Sequence, residues 1–148
     1  MKTITICNSG KLYQQVLQLK KDLENLGYKV LVHEAEVNVN GNIVPVEKFN
    51  EMKKTKWNSD VNKAVSPKIR AHFDKIEKSD AIVVMNKDKD DKKNYIGGNT
   101  LIEMGLAFYL KLPIFLTNPV PEYLSYAEEI KGVNPIILKK LEDIKKHL

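Results

Sequence analysis

The sequence has little of what stabilises secreted or membrane proteins. It contains a single cysteine, Cys7, so no disulfide can form within the chain, and we expect Cys7 to be a small core residue in a reducing compartment. No apolar run reaches the roughly 18 residues of a membrane-spanning helix. The short strand that follows Lys2 does not have the pattern of a signal peptide. We therefore expect a cytoplasmic protein with no membrane partner.

Arginine is almost absent as well. Arg70 is the only arginine among 24 basic residues, although the formal net charge is +5. Proteins that read duplex DNA usually cluster arginines, whereas lysines here alternate with acidic residues along helix faces. We expect no duplex nucleic acid partner and interpret the charge as solvated surface, with attraction for small anions as a second possibility. The sequence shows no cysteine and histidine cluster, so neither a metal site nor a cofactor is predicted.

Hydrophobic periodicity predicts an α/β protein. A short strand at Thr3–Cys7 is followed by apolar residues that recur every three or four positions from Leu12 to Leu26, which predicts a helix that stops at Gly27. Tyr28–Val32 is the next predicted strand. A strand, a helix and a second strand in this order are typical of a parallel βαβ unit.

Residues 37–65 do not continue this alternation of strands and helices. The residues around Asn40-Gly41 alternate as in a small hairpin, and Glu47 to Lys56 is weakly helical. We interpret the segment as an insertion that is either a lid or a poorly ordered loop. Trp57, at its far end, is either a packing anchor, which we favour, or a stacking face for a purine or pyrimidine.

The rest of the chain alternates between helices and strands. Ser66-Pro67 predicts a helix start, with Ile69, Phe73 and Ile76 on the buried face. Further strands are predicted at 81–85, 113–116 and 135–138, and further helices at 101–110, 123–131 and the lysine-rich C-terminus. This order predicts a single domain over residues 1–148: a doubly wound, mostly parallel five-stranded sheet with helices on both faces, Rossmann- or flavodoxin-like.

Ligands of such sheets bind beyond the carboxyl ends of the strands. Polar and glycine residues follow several of the predicted strands there, and we expect them to line one crevice for a small polar ligand. They are Asn8, Ser9, Gly10, Asn86, Gly97, Gly98, Asn99 and Asn118.

Glu103 is the most informative single residue. It stands near the start of a run, Leu101 to Leu110, that is otherwise apolar on nearly every face and is therefore a buried helix. An unpaired buried carboxylate costs several kcal/mol, so its presence needs a reason. One reason is a capping box with Thr100, three residues earlier. The other is a catalytic carboxylate that faces a pocket.

Three motifs together resemble the nucleoside 2-deoxyribosyltransferase superfamily, which includes hydrolases that remove the base from nucleoside 5′-monophosphates. They are the serine-containing turn after the first strand, the segment Ser79–Val84, and the glycine-rich turn that leads into Glu103-Met104-Gly105-Leu106-Ala107. The resemblance covers roughly residues 1–35 and 66–120 and leaves the insertion unexplained.

The resemblance implies that Glu103 is the nucleophile in cleavage of an N-glycosidic bond, forming a glycosyl-enzyme ester that water or a second base releases. The family places a helper carboxylate on the helix before the third strand. This chain has His72 at the best-matching position and Asp74 two residues later. His72 is either a catalytic group or a helix surface residue. Gly97 stands where transferases tend to carry an acid, which favours hydrolysis over base exchange.

A 5′-phosphate on the substrate would find donors in this sequence. Ser9 and Gly10 precede the first helix, where backbone N–H groups favour an anion, and Lys11 and Arg70 add charge. Ser9 as a helix cap and Arg70 in a surface ion pair are equally good interpretations. Tyr13 could reach the nucleophile in this kind of fold. The resemblance also implies a homodimer or higher homo-oligomer.

Two other functions remain open at this stage. In a non-catalytic nucleotide-binding module, Glu103 would hold a sugar hydroxyl or cap its helix. A DNA-binding accessory protein would bind duplexes with a steep dependence on salt.

Overall fold

A computed structural model describes residues 1–8, 12–55 and 59–148. The strands are β1 (Thr3–Asn8), β2 (Lys29–Leu31), β3 (Glu36–Val39), β4 (Asn42–Pro45), β5 (Ala81–Met85), β6 (Ile114–Leu116) and β7 (Ile136–Ile137). The helices are α1 (Tyr13–Asn25), α2 (Val46–Thr55), α3 (Ser59–Glu77), α4 (Gly98–Tyr109) and α5 (Ala127–Gly132), with a 3₁₀ helix at Leu141–Lys146. No helix in this described part of the chain combines the length and the apolar character that crossing a bilayer requires.

Five strands form one parallel sheet in the order β2-β1-β5-β6-β7. This confirms the predicted α/β fold and the five-stranded parallel sheet. The central strand β5 is buried along its whole length, as its uninterrupted apolar sequence predicts. Its carboxyl end, and that of β1, meet at the same edge of the sheet.

Alternation along the central strands divides the core between the two faces of the sheet. Ile4, Ile6 and Val83 pack with α1 on one face. Cys7 and Val84 belong to the cluster on the other face, which α3 and α4 cover. Cys7 therefore points towards the side of the sheet that carries Glu103.

The insertion forms a packed unit over the described residues. β3 and β4 are an antiparallel hairpin whose turn has positive φ at Asn40 and Gly41, the combination that an Asn-Gly turn adopts readily. Val37 and Val39 of the hairpin pack with Phe49 of α2 in a third hydrophobic cluster. The predicted hairpin and helix are both present. Trp57 lies outside the described residues.

The prediction that Ser66-Pro67 starts a helix is wrong, because α3 already includes Ser59 and Pro67 lies in its interior. A proline inside a helix removes one backbone hydrogen bond and costs about 3 kcal/mol. The helix continues through it because Val61 and Ala64 extend the buried face upstream against the hairpin and α2. The C-terminal helix is a short 3₁₀ segment rather than the α-helix that the lysine-rich pattern indicated.

Asn86 and Asn118 join the ends of β5 and β6. The Asn86 side-chain amide donates to the carbonyls of Asn118 and Pro119, and its oxygen accepts the Asn118 backbone N–H at 3.0 Å. The Asn118 side chain in turn donates to the Asn86 carbonyl at 3.1 Å. The two residues that we expected to bind substrate thus bind each other, and Asn86 is fully buried.

Replacing Asn86 with alanine should destabilise the fold, because the Asn118 N–H and two carbonyls lose a buried partner. We expect a loss of about 2–4 kcal/mol in the free energy of unfolding, measured by urea denaturation. The exposed Asn25→Ala at the end of α1 should change it by less than about 0.5 kcal/mol. Equal effects of the two substitutions would show that the Asn86 bonds contribute nothing.

Candidate functional site

Glu103 is in the early part of α4 but does not cap it. The helix N-cap is Gly97, in extended conformation, and no side chain caps the helix end. The Gly97 carbonyl accepts the Leu101 N–H at 2.9 Å, so Thr100 is already inside the first turn. The capping-box interpretation of Thr100 and Glu103 is therefore wrong. The Glu103 side chain is buried, 4% exposed, for another reason.

Two histidines face the Glu103 carboxyl. His33 follows β2 and His72 lies on α3, and their Nε2 atoms are 3.8 Å and 3.9 Å from Glu103 Oε1. The two imidazole rings stack in parallel with centroids 3.6 Å apart. The other carboxyl oxygen, Oε2, is buried and has no hydrogen-bond partner among the described residues. An orphaned carboxylate oxygen in a buried site is an acceptor available to a ligand.

Cys7, near the end of β1, is the fourth member of this group. Its Sγ is 3.7 Å from His72 Nε2, and Cys7, His72 and Glu103 offer sulfur, nitrogen and oxygen atoms that all lie within 4.8 Å of one another. Cys7 is buried as expected, but it adjoins polar groups rather than only apolar ones. We call Cys7, His33, His72 and Glu103 the Glu103 cluster.

Burial governs the ionisation of the Glu103 cluster. It raises the pKa of Glu103 to about 8, even though the Cys7 thiol and the Lys68 ammonium lower it. Burial lowers the pKa of His33 to about 2 and that of His72 to about 3. The pKa of the Cys7 thiol is raised well above its ordinary value, by burial and then by Glu103. Near neutral pH the cluster consequently holds a protonated carboxyl, two neutral imidazoles and a thiol.

A cleft of about 200 Å³ opens above the cluster. Tyr13, Gly97, Gly98 and Asn99 line it, as the sequence predicted, together with His33. Glu103 does not line this cleft but a separate cavity of about 10 Å³, which has His33, Lys68 and Asn99 in common with the cleft. Glu103 is thus adjacent to the cleft, with His33 between the two cavities.

Three lysines converge on the same cleft. They are Lys53 of α2, Lys68 of α3 and Lys89 of the loop after β5. Burial lowers the pKa of Lys68 to about 8, with a further contribution from Lys53. Burial and Lys89 lower the pKa of Lys53. Within the described ranges none of them forms an ion pair with a carboxylate, so the cleft carries positive charge that an anionic ligand could neutralise.

Comparison with known proteins bears on the fold. No protein-family model and no curated protein sequence matches the chain. Among solved structures, a 2-deoxyribosyltransferase from Bacillus psychrosaccharolyticus aligns with 97% of this chain and 90% of its own, at a TM-score of 0.58 and 14% identity. A conserved protein from Enterococcus faecalis V583 aligns with 100% of this chain and 99% of its own (TM-score 0.57, 14% identity). The CMP N-glycosidase BcmB of Clostridium botulinum aligns over 99% and 100% (TM-score 0.50, 17% identity).

The chain has the 2-deoxyribosyltransferase fold. The resemblance inferred from the motifs is thereby confirmed at the level of the fold. Identities of 14–17% establish no chemistry for this chain, so its chemistry must be argued from the side chains of its own site.

The remaining predicted residues fall into three groups. His72 is 2% exposed, so its interpretation as a helix surface residue is wrong. Arg70 and Asp74 lie on another face of α3 and line a separate cavity of about 560 Å³ between α3 and α4. They do not join Glu103, because Lys68 and His72, one helical turn apart, already occupy the face directed at the cleft. Ser9 and Gly10 lie outside the described residues.

Sequence reasoning missed His33, Lys53, Lys68 and Lys89. His33 had a usable signal: it lies two residues after β2, beyond the carboxyl end of the strand, where ligands bind in open α/β sheets. The three lysines had no such signal, because nothing in a lysine-rich sequence distinguishes lysines that line a cleft from lysines on the solvated surface. Their grouping depends on how α2 and α3 pack.

Glu103→Gln should change how stability depends on pH. An acid with a raised pKa in the folded state keeps its proton after the unfolded chain has lost it, so wild-type stability falls as pH rises from about 4.5 to about 8. The variant has no proton to lose at this position. Its free energy of unfolding should therefore rise relative to that of wild type by about 1 kcal/mol per pH unit across that window.

Urea denaturation at several pH values, in the presence of a chelator, measures this difference. The exposed Glu51→Gln on α2 is the matched control and should track wild type. A constant difference between Glu103→Gln and wild type from pH 5 to 8 would show that the buried carboxyl is not protonated there.

Proposed function

We propose that this protein cleaves the N-glycosidic bond of a nucleoside or nucleoside 5′-monophosphate, through a covalent glycosyl intermediate on Glu103. The observation that carries the proposal is the buried Glu103 carboxyl in the small cavity beside the cleft, with one oxygen that has no hydrogen-bond partner among the described residues. Support also comes from the fold, which a 2-deoxyribosyltransferase and a CMP N-glycosidase share.

Glu103 would act as the nucleophile. Its carboxylate attacks the anomeric carbon of the sugar while the bond to the base breaks, and the electron pair of that bond goes to the base nitrogen. The transition state has oxocarbenium character, which a nearby negative charge stabilises. Water then adds to the anomeric carbon and displaces Glu103, so the free sugar and the free base are the products.

The histidines would move the proton that this reaction requires. Glu103 is protonated near neutral pH and must lose that proton before it attacks. His33 Nε2 lies 3.8 Å from Glu103 Oε1 and His33 lines the cleft, so its ring can relay the proton to the departing base. Because the pKa of His33 is about 2, the ring would hold the proton only in passing and not as a resting cation. His72 is stacked behind His33 and positions its ring. One proton thus leaves Glu103 and arrives on the base.

The glycine-rich turn supports hydrolysis over base exchange. A side chain at Gly97 would meet the Tyr95 ring, whose Cε1 lies 3.3 Å from the position of an added Cβ. A side chain at position 97 would therefore require the Tyr95 ring to shift by a few tenths of an ångström. Among the described residues that line the cleft there is no carboxylate.

Glu103→Gln should abolish release of free base, by about 10³-fold or more, because an amide is a poor nucleophile. Nucleosides and nucleoside monophosphates incubated with the protein and scored for free base by chromatography provide the measurement. Glu51→Gln should retain wild-type activity. An unchanged rate in Glu103→Gln would end the proposal for Glu103.

A 2-fluoro-2-deoxynucleoside separates the enzyme from a nucleotide-binding module. The fluorine slows release of the glycosyl ester, so the enzyme should gain the mass of the sugar on the peptide that contains Glu103. Binding without added mass and without base release would favour the non-catalytic module.

The three lysines support a phosphate on the substrate. Lys53, Lys68 and Lys89 line the same cleft, and the burial and mutual repulsion that lower the pKa values of Lys53 and Lys68 would be relieved by an anion. The backbone at the start of α4 borders this space and favours negative charge. We therefore propose nucleoside monophosphates as the preferred substrates.

Lys53→Met and Lys68→Met should each lower kcat/KM for the monophosphate by about 10- to 100-fold, the usual effect of losing a hydrogen bond to a charged group. Lys53→Met should change kcat/KM for the corresponding nucleoside little. Lys68→Met should also lower kcat/KM for the nucleoside, though by less than for the monophosphate, because the Lys68 charge lowers the pKa of Glu103. Lys48→Met, on the exposed side of α2, is the matched control. Equal losses with nucleoside and monophosphate would argue against a phosphate contact.

The predicted homo-oligomer and cytoplasmic location stay predictions. Exposed apolar side chains on α4 support association: Ile102 is 45% exposed, Phe108 51% and Tyr109 81%.

A further inference from the structure

Cys7, His72 and Glu103 present three different ligand atoms to one point. The Cys7 Sγ to His72 Nε2 distance is 3.7 Å, and the His72 Nε2 to Glu103 Oε1 distance is 3.9 Å. All three residues are buried, at 0%, 2% and 4% exposure. The residues come from the strand β1 and from the helices α3 and α4, which pack on the face of the sheet to which Cys7 points.

These separations approach those of a tetrahedral zinc site. With metal distances of about 2.3 Å to sulfur and about 2.1 Å to nitrogen or oxygen, neighbouring ligand atoms lie about 3.4–3.6 Å apart. The Cys7–His72 distance of 3.7 Å exceeds this by about 0.1 Å and the His72–Glu103 distance of 3.9 Å by about 0.5 Å, while the Cys7 and Glu103 ligand atoms lie within 4.8 Å of each other. The three side chains would have to close in on the ion by these amounts.

We propose that Cys7, His72 and Glu103 form a binding site for Zn²⁺ or a divalent transition metal of similar preference. His33 lies beside this group, with its Nε2 3.8 Å from Glu103 Oε1, but its ring is stacked on His72 and would have to turn to coordinate the same ion. The small cavity that His33 and Glu103 line is the route of entry that the structure offers.

Charge and ligand type both suit such an ion. When Zn²⁺ binds, the Cys7 thiol and the Glu103 carboxyl release their protons to solvent, and one thiolate with one carboxylate neutralises the two positive charges. The buried site then carries no net charge. Thiolate and imidazole ligands select Zn²⁺ and Co²⁺ over Mg²⁺ and Ca²⁺, which prefer oxygen.

The metal site goes beyond the proposed function and competes with it. Both need the Glu103 carboxylate, so a bound ion should block base release, and a chelator should restore it. Lys68, which acts on Glu103 through its charge, also repels a cation here. Lys68→Met should accordingly tighten metal binding while it weakens use of a monophosphate substrate.

Titration of the full chain with Co²⁺ tests the site directly. Co²⁺ bound to a thiolate has a near-ultraviolet charge-transfer band, and intense visible bands report tetrahedral coordination. We expect saturation at one ion per chain, displacement by Zn²⁺, and a Zn²⁺-dependent rise in the melting temperature. Absence of the thiolate band in the wild-type protein would overturn the proposal.

Variants assign the ligands. Cys7→Ser should remove the thiolate band, and Glu103→Gln should weaken Co²⁺ binding at least tenfold. His147→Gln, which removes the exposed histidine near the C-terminus, should bind as wild type does. Wild-type affinity in Glu103→Gln, or loss of binding in His147→Gln, would place the ion elsewhere. Because no step of this test measures base release, the proposed catalysis and the metal site can fail separately.

Discussion

The site depends on the burial of one carboxyl group beneath two stacked imidazoles. A buried Glu103 would be costly as a bare anion, and the structure supplies no charged partner in hydrogen-bonding contact within its described ranges. Instead, burial holds the carboxyl, both histidines and the Cys7 thiol in their neutral forms. Near neutral pH the cluster is therefore mainly uncharged, and Glu103 ionises as the pH approaches and passes 8. Strongly shifted pKa values of this kind are common at functional sites.

Helix α3 determines which side chains surround that carboxyl. It contributes Lys68 to the cleft and His72, one turn later, to the Glu103 cluster, while Val61 and Ala64 of the same helix pack with the insertion. The insertion in turn contributes Lys53 through α2. A segment that interrupts the regular alternation of strands and helices thus adds positive charge to the entrance. This charge favours an anionic substrate and opposes a cation at Glu103.

Several features could be predicted because they depend on local chemistry. The apolar run of β5 and the Asn40-Gly41 turn each indicated the structure that is present. The start of α3 could not be predicted, because Pro67 is a strong local signal that tertiary packing overrides. The capping-box prediction for Thr100 and Glu103 was wrong for a related reason. Their spacing fits a capping box, but the helix begins earlier, at glycines without a capping side chain.

By itself, the sequence determined the order of strands and helices and the parallel sheet, and it singled out Glu103 as the acid in a buried apolar helix. The hydrophobic period and a lone acid in an apolar run are both local patterns. Only the tertiary structure decided what surrounds Glu103. Cys7, His33 and His72 are distant in the chain and meet because β1, β2 and α3 end or cross at one place. The physical reason is that burial and charge proximity, which shift each pKa, are properties of packing in space and leave no periodic trace along the chain.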